Sequence, residues 1–355
     1  MIVFILPNFS GGGAERVIVN MINDLYQKKV NVEIVVFNNN GPLASDVPKG
    51  VAIHNLQTNT LRRSIWPLIC KLRLLNPRVI FSTFGYINIV LLLLRLVLPS
   101  KMKILIREAN LPSISLPHNK YSFLMHIGYR WTYRTANKIF CTSQRMIDEF
   151  THDFNLPISK LQLLPNLVND KLIRLSLTSM PNYRNNVVNF IAMGRLTHQK
   201  GFDRLLQWFS KLENKKSILR ILGNGPLEDD LKYLTKKLNL TERVFFCGYI
   251  DNPWEKIAAS DVFLLPSRWE GMSNAALEAL VCGTPVIATA ESGGIAELSI
   301  YTKKSNVTVT STTDEFIQEM EKVRSRNIKS PDSSLLPPIY SMENSMFVEY
   351  FFKLE

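Results

Sequence analysis

The sequence predicts an α/β protein with two parallel-sheet domains, each carrying helices on both faces of its sheet. Three observations indicate this fold class. The chain of 355 residues is too long for one hydrophobic core and suits two domains. Short apolar runs alternate with longer amphipathic segments along the whole sequence. The apolar runs are continuous rather than alternating with polar residues, which is typical of parallel strands buried on both faces.

In the first half, the apolar runs predict five strands with amphipathic helices following them. The predicted strands cover residues 2–6, 32–37, 79–82, 103–107 and 138–141. The predicted helices cover residues 14–28, 64–75, 87–97, 119–135 and 143–151. We expect these elements to form a first Rossmann-like domain over residues 1–170.

The second half repeats the alternation and predicts a second Rossmann-like domain over residues 183–335. Its predicted strands cover residues 188–193, 217–222, 244–247, 262–265 and 285–288. Its predicted helices cover residues 201–214, 226–238, 252–259, 273–282 and 312–326. A polar stretch with Pro and Asn near residues 165–185 marks the boundary. The tail 341–355 has aromatic residues at helical spacing and predicts a terminal helix that packs back on the first domain.

The positive charge is concentrated in one half of the chain. The net charge is +12, and residues 61–145 alone contain 14 Lys and Arg against one acid, Glu108. A cationic half indicates an anionic partner, which can be a membrane surface, a nucleic acid or a phosphorylated substrate.

The sequence gives no sign of export. The four cysteines are far apart, with no zinc-binding spacing, which favours buried thiols in a reducing compartment. The first residues lack the basic segment and cleavage site of a signal peptide, and the longest uncharged stretch, residues 79–94, is too short to span a bilayer. We expect a cytoplasmic protein, soluble or peripheral at the inner membrane.

A Gly-rich loop follows the first predicted strand. Gly11, Gly12 and Gly13 lie directly before a predicted helix, whose N-terminal N–H groups can bind an anion. The loop departs from the dinucleotide fingerprint, because Arg16 occupies its last small-residue position. Ligand contact and a simple tight turn both remain open for this triplet.

Two further motifs follow strands of the second half. Gly194 and Arg195 come after the strand 188–193, and Lys200 follows on the same loop, so two cations stand where a diphosphate can be bound. Gly223 begins a turn after the next strand. Chain reversal and ligand contact explain this turn equally well.

The segment from Ser267 to Ala279 is the most specific pattern in the sequence. Ser273 or Asn274 is suited to cap a helix, and that helix ends before Gly283. Glu270 precedes the cap, and Glu278 lies within the helix eight positions later. The first turn of such a helix binds phosphate, and a carboxylate can bind the paired hydroxyls of a sugar or ribose.

These residues together resemble the family 4 glycosyltransferases. The resemblance rests on GGGAE near the start, GRL-x3-KG, and the E-x7-E of EGMSNAALE, and it extends over residues 1–297 and the terminal helix. It implies a retaining enzyme of the GT-B fold, with two Rossmann-like domains facing across a cleft. The first domain would bind the acceptor and the second would bind the nucleotide sugar.

The resemblance also implies a role for each matching residue. Arg195 and Lys200 would neutralise the donor diphosphate, Glu270 would contact hydroxyls of the transferred sugar, and Glu278 would bind the ribose. Backbone groups would complete the donor site, at Gly12, Gly13, Gly194, Gly223, Gly271, Met272, Ser273, Asn274 and Ala275. Arg195, Lys200, Glu270 and Glu108 are the candidate catalytic residues.

No metal or other cofactor is expected, because cations and a helix N-terminus can stabilise a departing diphosphate and the chain has no D-x-D motif. The carboxylate nucleophile of retaining glycosidases is not evident either. The family is usually described as using attack on the same face, and the sequence does not decide between these mechanisms.

The chain departs from the family at one loop of the first domain. Where many members have a histidine, this chain has Arg107, Glu108, Ala109 and Asn110. Glu108 could act near the acceptor hydroxyl or form an ion pair with Arg107. His118 is a weak substitute for the missing histidine, and residues 305–312 lack the glycine usual in that strand.

The basic first domain predicts the nature of the acceptor. Residues 121–138 mix five aromatic rings with Arg130, Arg134 and Lys138, and a second basic patch lies near Trp66. Such a helix could lie on an anionic membrane, or it could be a core helix with a basic outer face. Similar enzymes often use a sugar on polyprenyl diphosphate, so we expect a lipid-linked glycan acceptor, as in O-antigen or capsule synthesis, and no nucleic acid, since no such module is visible.

Two other functions remain open at this point. A sugar-nucleotide epimerase of the same fold would need neither a lipid acceptor nor a basic domain. A non-catalytic scaffold of an assembly complex would be expected to lose its site residues, yet Arg195, Lys200, Glu270 and Glu278 are all present. UDP-hexose or UDP-N-acetylhexosamine is the expected donor.

Overall fold

The structure is a computed structural model that describes residues 1–118, 121–179, 181, 183, 187–303, 306–326 and 332–342. The described residues fall into two compact units, one extending to Leu167 and the other beginning at Val168. Each unit contains one parallel sheet, so the two parallel-sheet domains expected from the sequence are confirmed.

The first unit contains a seven-stranded parallel sheet with the order β3-β2-β1-β4-β5-β6-β7. Its strands are β1 (Ile2–Leu6), β2 (Val32–Val36), β3 (Ala52–Asn55), β4 (Val79–Ser82), β5 (Lys103–Glu108), β6 (Lys138–Cys141) and β7 (Leu161–Leu163). Its helices are α1 (Gly13–Gln27), α2 (Leu61–Leu75), α3 (Gly85–Leu93), α4 (Pro112–Ser115), α5 (Ser122–Thr132) and α6 (Gln144–His152). Short 3₁₀ turns extend α3 and α5 over Leu94–Leu96 and Tyr133–Thr135.

The second unit contains a six-stranded parallel sheet with the order β10-β9-β8-β11-β12-β13. Its strands are β8 (Asn189–Met193), β9 (Ile218–Leu222), β10 (Val244–Phe246), β11 (Val262–Leu265), β12 (Val286–Thr289) and β13 (Val307–Thr310). Its helices are α7 (Asp170–Leu175), α8 (Phe202–Ser210), α9 (Glu228–Lys237), α10 (Trp254–Ala258), α11 (Asn274–Val281), α12 (Ile295–Leu298) and α13 (Thr313–Lys322). A 3₁₀ turn over His198–Lys200 precedes α8.

Burial on both faces of each sheet explains why the strands carry continuous apolar runs, since β1, β4 and β11 are buried at every residue. In the first unit, α2, α3, α5 and α6 contribute to one buried cluster against β1, β4, β5 and β6. In the second unit, two clusters form, one containing α11 and the other containing α8. Burial of this apolar surface is the main stabilising contribution, at roughly 25 cal/mol per Å².

The strand order places one reversal point in each sheet. In the first sheet, β1 lies between β2 and β4, and in the second sheet β8 lies between β9 and β11. In such sheets the loops at the carboxyl ends of these central strands diverge and leave room for a ligand. The Gly-rich loop follows β1, and the segments containing Lys200 and Glu270 follow β8 and β11.

The structure differs from the sequence prediction mainly at short or exposed elements. The predictions missed β3, β7 and β13, and they missed the short helices α4, α7 and α12. Strand β3 lies at the sheet edge without a fully buried residue, β7 has three residues, and β13 alternates Val with Thr. None of these has the continuous apolar run by which the other strands were predicted.

Two helix predictions need correction or fall outside the described chain. The helix predicted over residues 119–135 begins at Ser122 and gives way to a 3₁₀ turn after Thr132. The predicted terminal helix 341–355 lies outside the described residues from position 343 onward. Just before the predicted range, Pro338–Tyr340 form a 3₁₀ turn, and Ser341 bridges to Val168. Within the described ranges, no helix is both long and apolar enough to cross a membrane.

Gly223→Ala should destabilise the second unit more than Gly248→Ala. Both glycines have positive φ, 121° and 67°, but a methyl group on Gly223 would overlap the backbone carbonyl of Gly194. A methyl group on Gly248 would meet only the Asn224 side chain, at 3.5 Å. We expect losses of unfolding free energy of about 1 kcal/mol for Gly248→Ala and about 3 kcal/mol or more for Gly223→Ala. Urea unfolding followed by tryptophan fluorescence measures both, and equal losses would contradict the close approach of the two loops.

Candidate active site at the carboxyl edge of the second sheet

The loops after β8 and β11 approach each other closely. Gly201 has φ 68°, and a methyl group there would overlap the carbonyl oxygen of Pro266. The Arg268 N–H donates to the Gln199 carbonyl at 2.8 Å, and the Gln199 side chain donates to the Trp269 carbonyl at 3.0 Å. The two loops therefore form one rigid surface.

Two arginines that the sequence analysis did not single out tie these loops together. Arg204 on α8 donates to the carbonyl oxygens of Pro266 and Ser267, at 2.8 and 2.7 Å. Arg268 forms a bidentate ion pair with Asp203, with both N–O distances at 2.7 Å. Arg204 was missed because a lone arginine on a helix usually faces solvent, and Arg268 was missed although it lies within the segment from Ser267 to Ala279.

Lys200 and Glu270 form an ion pair at the centre of this surface. Lys200 is half-buried, and the Glu270 side chain is only 7% exposed. The Ser267 hydroxyl donates to the same oxygen of Glu270, Oε1, at 2.9 Å. The Lys200 chain passes over Gly194, where a methyl group would stand 3.3 Å from it. The lysine proposed for the diphosphate and the carboxylate proposed for the sugar are thus in direct contact.

Arg195 lies on the same loop as Lys200 but differs from it in exposure and in partners. Its side chain is exposed, and it makes no side-chain hydrogen bond or salt bridge with any other residue that the structure describes. Its backbone carbonyl accepts the Thr197 N–H at 2.8 Å, which fixes the turn. Arg195 therefore offers its guanidinium to a ligand without breaking an existing contact.

Helix α11 begins next to Glu270, as the sequence predicts. Ser273 is its N-cap, and the Ser273 hydroxyl accepts from the Ala276 N–H at 3.4 Å. Asn274 and Ala275 are the first two helical residues. The first turn of any helix presents N–H groups without intrahelical partners, so this terminus favours an anion beside Glu270.

Glu278 lies one turn into α11 and is largely buried. Its Oε2 accepts the Trp254 indole N–H at 3.0 Å. Trp254, which begins α10, was missed by the sequence analysis, since a single tryptophan on a helix is more often part of a core. The indole orients the carboxylate that is expected to bind the ribose.

Gly293 and Gly294 lie against the backbone of the loop that contains Glu270. Gly293 has φ 66°, and a methyl group on it would overlap the Glu270 carbonyl oxygen. The Gly294 N–H donates to the Gly271 carbonyl at 2.7 Å, and Met272 is buried in the core cluster. The sequence analysis missed this pair, although two adjacent glycines shortly after a strand are a recognisable signal for a close backbone approach.

The Gly-rich loop of the first unit is occupied by a side chain of its own helix. Gly12 is the N-cap of α1 and Gly13 is its first residue. The Ser10 hydroxyl donates to Glu15 at 2.9 Å, and a methyl group on Gly12 would stand 2.5 Å from the Glu15 carboxylate. The absence of a side chain at Gly12 makes room for an anionic group, which in this structure is Glu15.

Glu108 and Arg107 do not form the ion pair that the sequence left open. Adjacent residues of a strand point to opposite faces, so each finds other partners. Arg107 donates to Thr83 at 2.9 Å and to Asn166. Glu108 accepts the Tyr133 hydroxyl at 2.6 Å.

The Glu108 carboxyl is buried beneath helix α5. It is 5% exposed, and burial raises its pKa to about 7, while the hydrogen bond from Tyr133 acts in the opposite direction. Tyr129 of the same helix also hydrogen-bonds it, and both oxygens lie close to Gly85 at the start of α3. Hydrogen bonds therefore connect this carboxyl of β5 to α5 and to the 3₁₀ turn that follows it. Among the residues described, no group of three or more His, Cys, Asp or Glu is placed to hold a metal ion.

Family models match both halves of the chain. The model described as Glycosyltransferase Family 4 matches residues 11–172, and the model described as Glycosyl transferases group 1 matches residues 182–332. The second match contains Arg195, Lys200, Glu270 and Glu278.

Curated relatives agree with these matches. An uncharacterized glycosyltransferase of Methanocaldococcus jannaschii is 32% identical over 53% of this chain, and the match spans about half of that relative, 48%. N-acetylgalactosamine-N,N'-diacetylbacillosaminyl-diphospho-undecaprenol 4-alpha-N-acetylgalactosaminyltransferase of Campylobacter jejuni is 25% identical over 82% of this chain and 81% of its own length.

Solved structures share the fold at low identity. The lipopolysaccharide outer core galactosyltransferase WaaB, in its apo form, is 19% identical with a TM-score of 0.70 and covers 99% of this chain and 98% of its own. HepE of Anabaena in complex with UDP-glucose is 16% identical with a TM-score of 0.70, covering 90% and 88%. These likenesses establish the two-domain fold of this class.

The raised pKa of Glu108 should make stability depend on pH. The carboxyl titrates near 7 when folded and near 4.5 as a free group, so the folded chain binds more protons between these values. The free energy of unfolding should therefore fall as pH rises from about 4.5 to about 7, by about 3 kcal/mol in full.

Urea unfolding of the wild type and Glu108→Gln at pH 5 and pH 8 measures this effect. We expect the glutamine variant to gain stability relative to the wild type as pH rises. Tyr133→Phe removes the hydrogen bond that lowers the pKa, so it should move the transition to higher pH. A stability difference between wild type and Glu108→Gln that is constant across this range would contradict the assignment.

Proposed function

Because the chain belongs to the family 4 glycosyltransferases, we propose that it transfers a hexose or N-acetylhexosamine from a UDP-sugar to a lipid-linked glycan, with retention at the anomeric carbon. The class of enzyme follows from the family. The donor, the acceptor and the stereochemistry are the proposal.

One observation carries the proposal: Lys200, Glu270 and the capped start of α11 lie on two loops that follow neighbouring strands at the reversal point of the second sheet. Transfer breaks the bond between the sugar C1 and the diphosphate, and negative charge develops on the leaving oxygen. Lys200, Arg195 and the N–H groups of Asn274 and Ala275 would stabilise that charge in place before the reaction.

The other residues of this surface would bind the rest of the donor. Glu270 would accept hydroxyl groups of the transferred sugar, and Glu278 would accept those of the ribose, with Trp254 holding the carboxylate in position. UDP is favoured as the nucleotide because related folds have been crystallised with UDP and UDP-glucose. The relative from Campylobacter jejuni is named for N-acetylgalactosamine transfer, which supports an N-acetylhexosamine.

We assign Glu108 a positioning role and no direct contact with the reacting atoms. Its burial and its hydrogen bond from Tyr133 favour this role, because a proton acceptor must reach the acceptor hydroxyl. We also propose that no metal ion takes part, since the cations of the second unit would neutralise the diphosphate. The chain has no D-x-D motif.

The proposed acceptor is a glycan on polyprenyl diphosphate, in the synthesis of a surface polysaccharide such as O-antigen or capsule. Relatives named for O-antigen and lipopolysaccharide core synthesis support this assignment. Such an acceptor lies in the inner membrane, so the enzyme would work peripherally at the cytoplasmic face.

A surface of the first unit fits an anionic membrane. It is formed by the outer faces of α2, of α3 with its 3₁₀ turn, and of α5, and we call it the basic apolar layer. The three helices bury their inner faces in one cluster, and Arg73 and Arg95 tie their ends by hydrogen bonds to the carbonyls of Val97 and Thr135, each at 2.7 Å. Neighbouring helices joined in this way expose one continuous face.

The exposed side chains of this layer are apolar or basic. The most exposed apolar residues are Trp66, Leu74, Leu96, Phe123, Leu124 and Trp131. Arg62, Arg63, Arg73, Arg130 and Arg134 are exposed among them. The one acid within residues 61–145, Glu108, is buried and adds no negative charge to this face. Exposed rings with flanking cations bind the headgroup region of anionic bilayers.

Lys200→Ala and Glu270→Ala should each lower sugar transfer by about 100-fold or more, because each removes a group from the proposed charge-stabilising site. Donors are first found by thermal shift with UDP-sugars and GDP-mannose, since a bound ligand raises apparent stability. Transfer is then measured as UDP release with a lipid-linked acceptor.

Lys232→Ala is the matched control, because Lys232 pairs with Glu228 on the surface of α9, away from the proposed site. It should keep wild-type turnover, and turnover should also persist in EDTA. Near-normal transfer by either site variant would refute the site, and an altered sugar nucleotide without transfer would favour an epimerase.

Phe123→Ser combined with Trp131→Ser should weaken binding to vesicles of phosphatidylglycerol by about tenfold or more, because both rings are highly exposed on the basic apolar layer. Charge reversal at Arg130 should weaken binding mainly at low salt. Sedimentation with phosphatidylglycerol and phosphatidylcholine vesicles measures both effects.

Tyr233→Ser is the matched control for vesicle binding, since Tyr233 is an equally exposed ring in the second unit, at 71%. It should leave binding unchanged. A wild-type chain that stays in the supernatant with anionic vesicles at low salt would exclude this surface.

A further inference from the structure

The contact between Lys200 and Glu270 joins the two groups that the proposed function assigns to different parts of the donor. Lys200 is assigned to the diphosphate and Glu270 to the sugar. Without a ligand they satisfy each other, and Ser267 holds the shared oxygen of Glu270 in place. A donor that draws Lys200 to its phosphates and Glu270 to its sugar hydroxyls replaces this ion pair.

The cost of replacing the pair depends on what the ligand brings. Glu270 is nearly inaccessible to water, so a carboxylate there needs a partner when Lys200 turns away. A nucleotide sugar supplies both replacements, phosphate oxygens for Lys200 and hydroxyl donors for Glu270. A nucleoside diphosphate supplies only the first.

We infer that the Lys200–Glu270 pair makes this site discriminate against the spent nucleoside diphosphate in favour of the intact nucleotide sugar. This inference rests on the proposed function and assigns Glu270 a specificity role in addition to sugar binding. The same ion pair would favour release of the nucleoside diphosphate product. Once the sugar has moved to the acceptor, Glu270 loses its hydroxyl partners and competes with the diphosphate for Lys200.

Glu270→Gln tests the inference, because glutamine keeps the shape of the side chain and one acceptor oxygen but removes its charge. Calorimetric titration with UDP, without acceptor, should show an affinity about tenfold higher in the variant, equivalent to about 1.4 kcal/mol. Titration with UDP-glucose and UDP-N-acetylglucosamine should show a smaller gain or a loss. The preference for nucleotide sugar over UDP should therefore shrink.

Two further variants separate this effect from a general change of charge. Glu291→Gln removes a carboxylate that pairs with Arg204 on the neighbouring loop and does not contact Lys200, so UDP affinity should stay within about twofold. In a Lys200→Gln background, Glu270→Gln should no longer raise UDP affinity, because the competing pair is already absent.

The outcomes distinguish this inference from the proposed function. UDP binding that is unchanged or weaker in Glu270→Gln overturns the inference and leaves the donor site standing. An equal gain in Glu291→Gln also overturns it, since the effect would then be one of general charge. A wild-type chain that binds neither UDP nor GDP, alone or with a sugar, overturns both.

Discussion

The arrangement of the candidate site depends on the close approach of backbone to backbone at the carboxyl edge of the second sheet. Gly201 lies against Pro266, Gly223 lies against Gly194, and Gly293 lies against Glu270. All three glycines have positive φ, where other residues are strained. These contacts bring loops from different strands within side-chain reach, so that Lys200 and Glu270, seventy positions apart, can form an ion pair.

Glu270 in the second unit and Glu108 in the first are both buried, but their partners differ, and we propose different roles for them. Glu270 has a cation and a hydroxyl as partners, so a ligand that replaces them can bind there. Glu108 has tyrosine hydroxyls as partners, and burial raises its pKa, which favours the neutral form. A buried carboxyl with a raised pKa that accepts hydrogen bonds from two tyrosines is suited to stabilise the fold and poorly suited to bind a charged substrate.

The sequence predicts those parts of the fold that depend on apolar burial. Strands 2–6, 79–82, 138–141 and 262–265 begin and end as predicted, because a buried parallel strand must be apolar throughout. Strands such as β3 and β13 escaped prediction, since edge position or a single buried face leaves no continuous run. The predicted site residues after β8 and β11 lie together because each motif follows a buried strand, and these two strands are neighbours in a parallel sheet. Arg204, Trp254 and the pair Gly293 and Gly294 were missed, because their importance comes from contacts between loops distant in sequence.

The same glycine contacts explain why an ion pair can serve as a selective element at this site. An ion pair on flexible loops contributes little, because ordering two long side chains opposes its formation. Here Arg204 and Arg268 fix the loop backbones and Ser267 orients the carboxylate, so the pair forms at a smaller ordering cost. A ligand that breaks it must then compensate a buried charge. Rigidity of the loops is thus the property that turns a simple contact between Lys200 and Glu270 into a preference for one ligand over another.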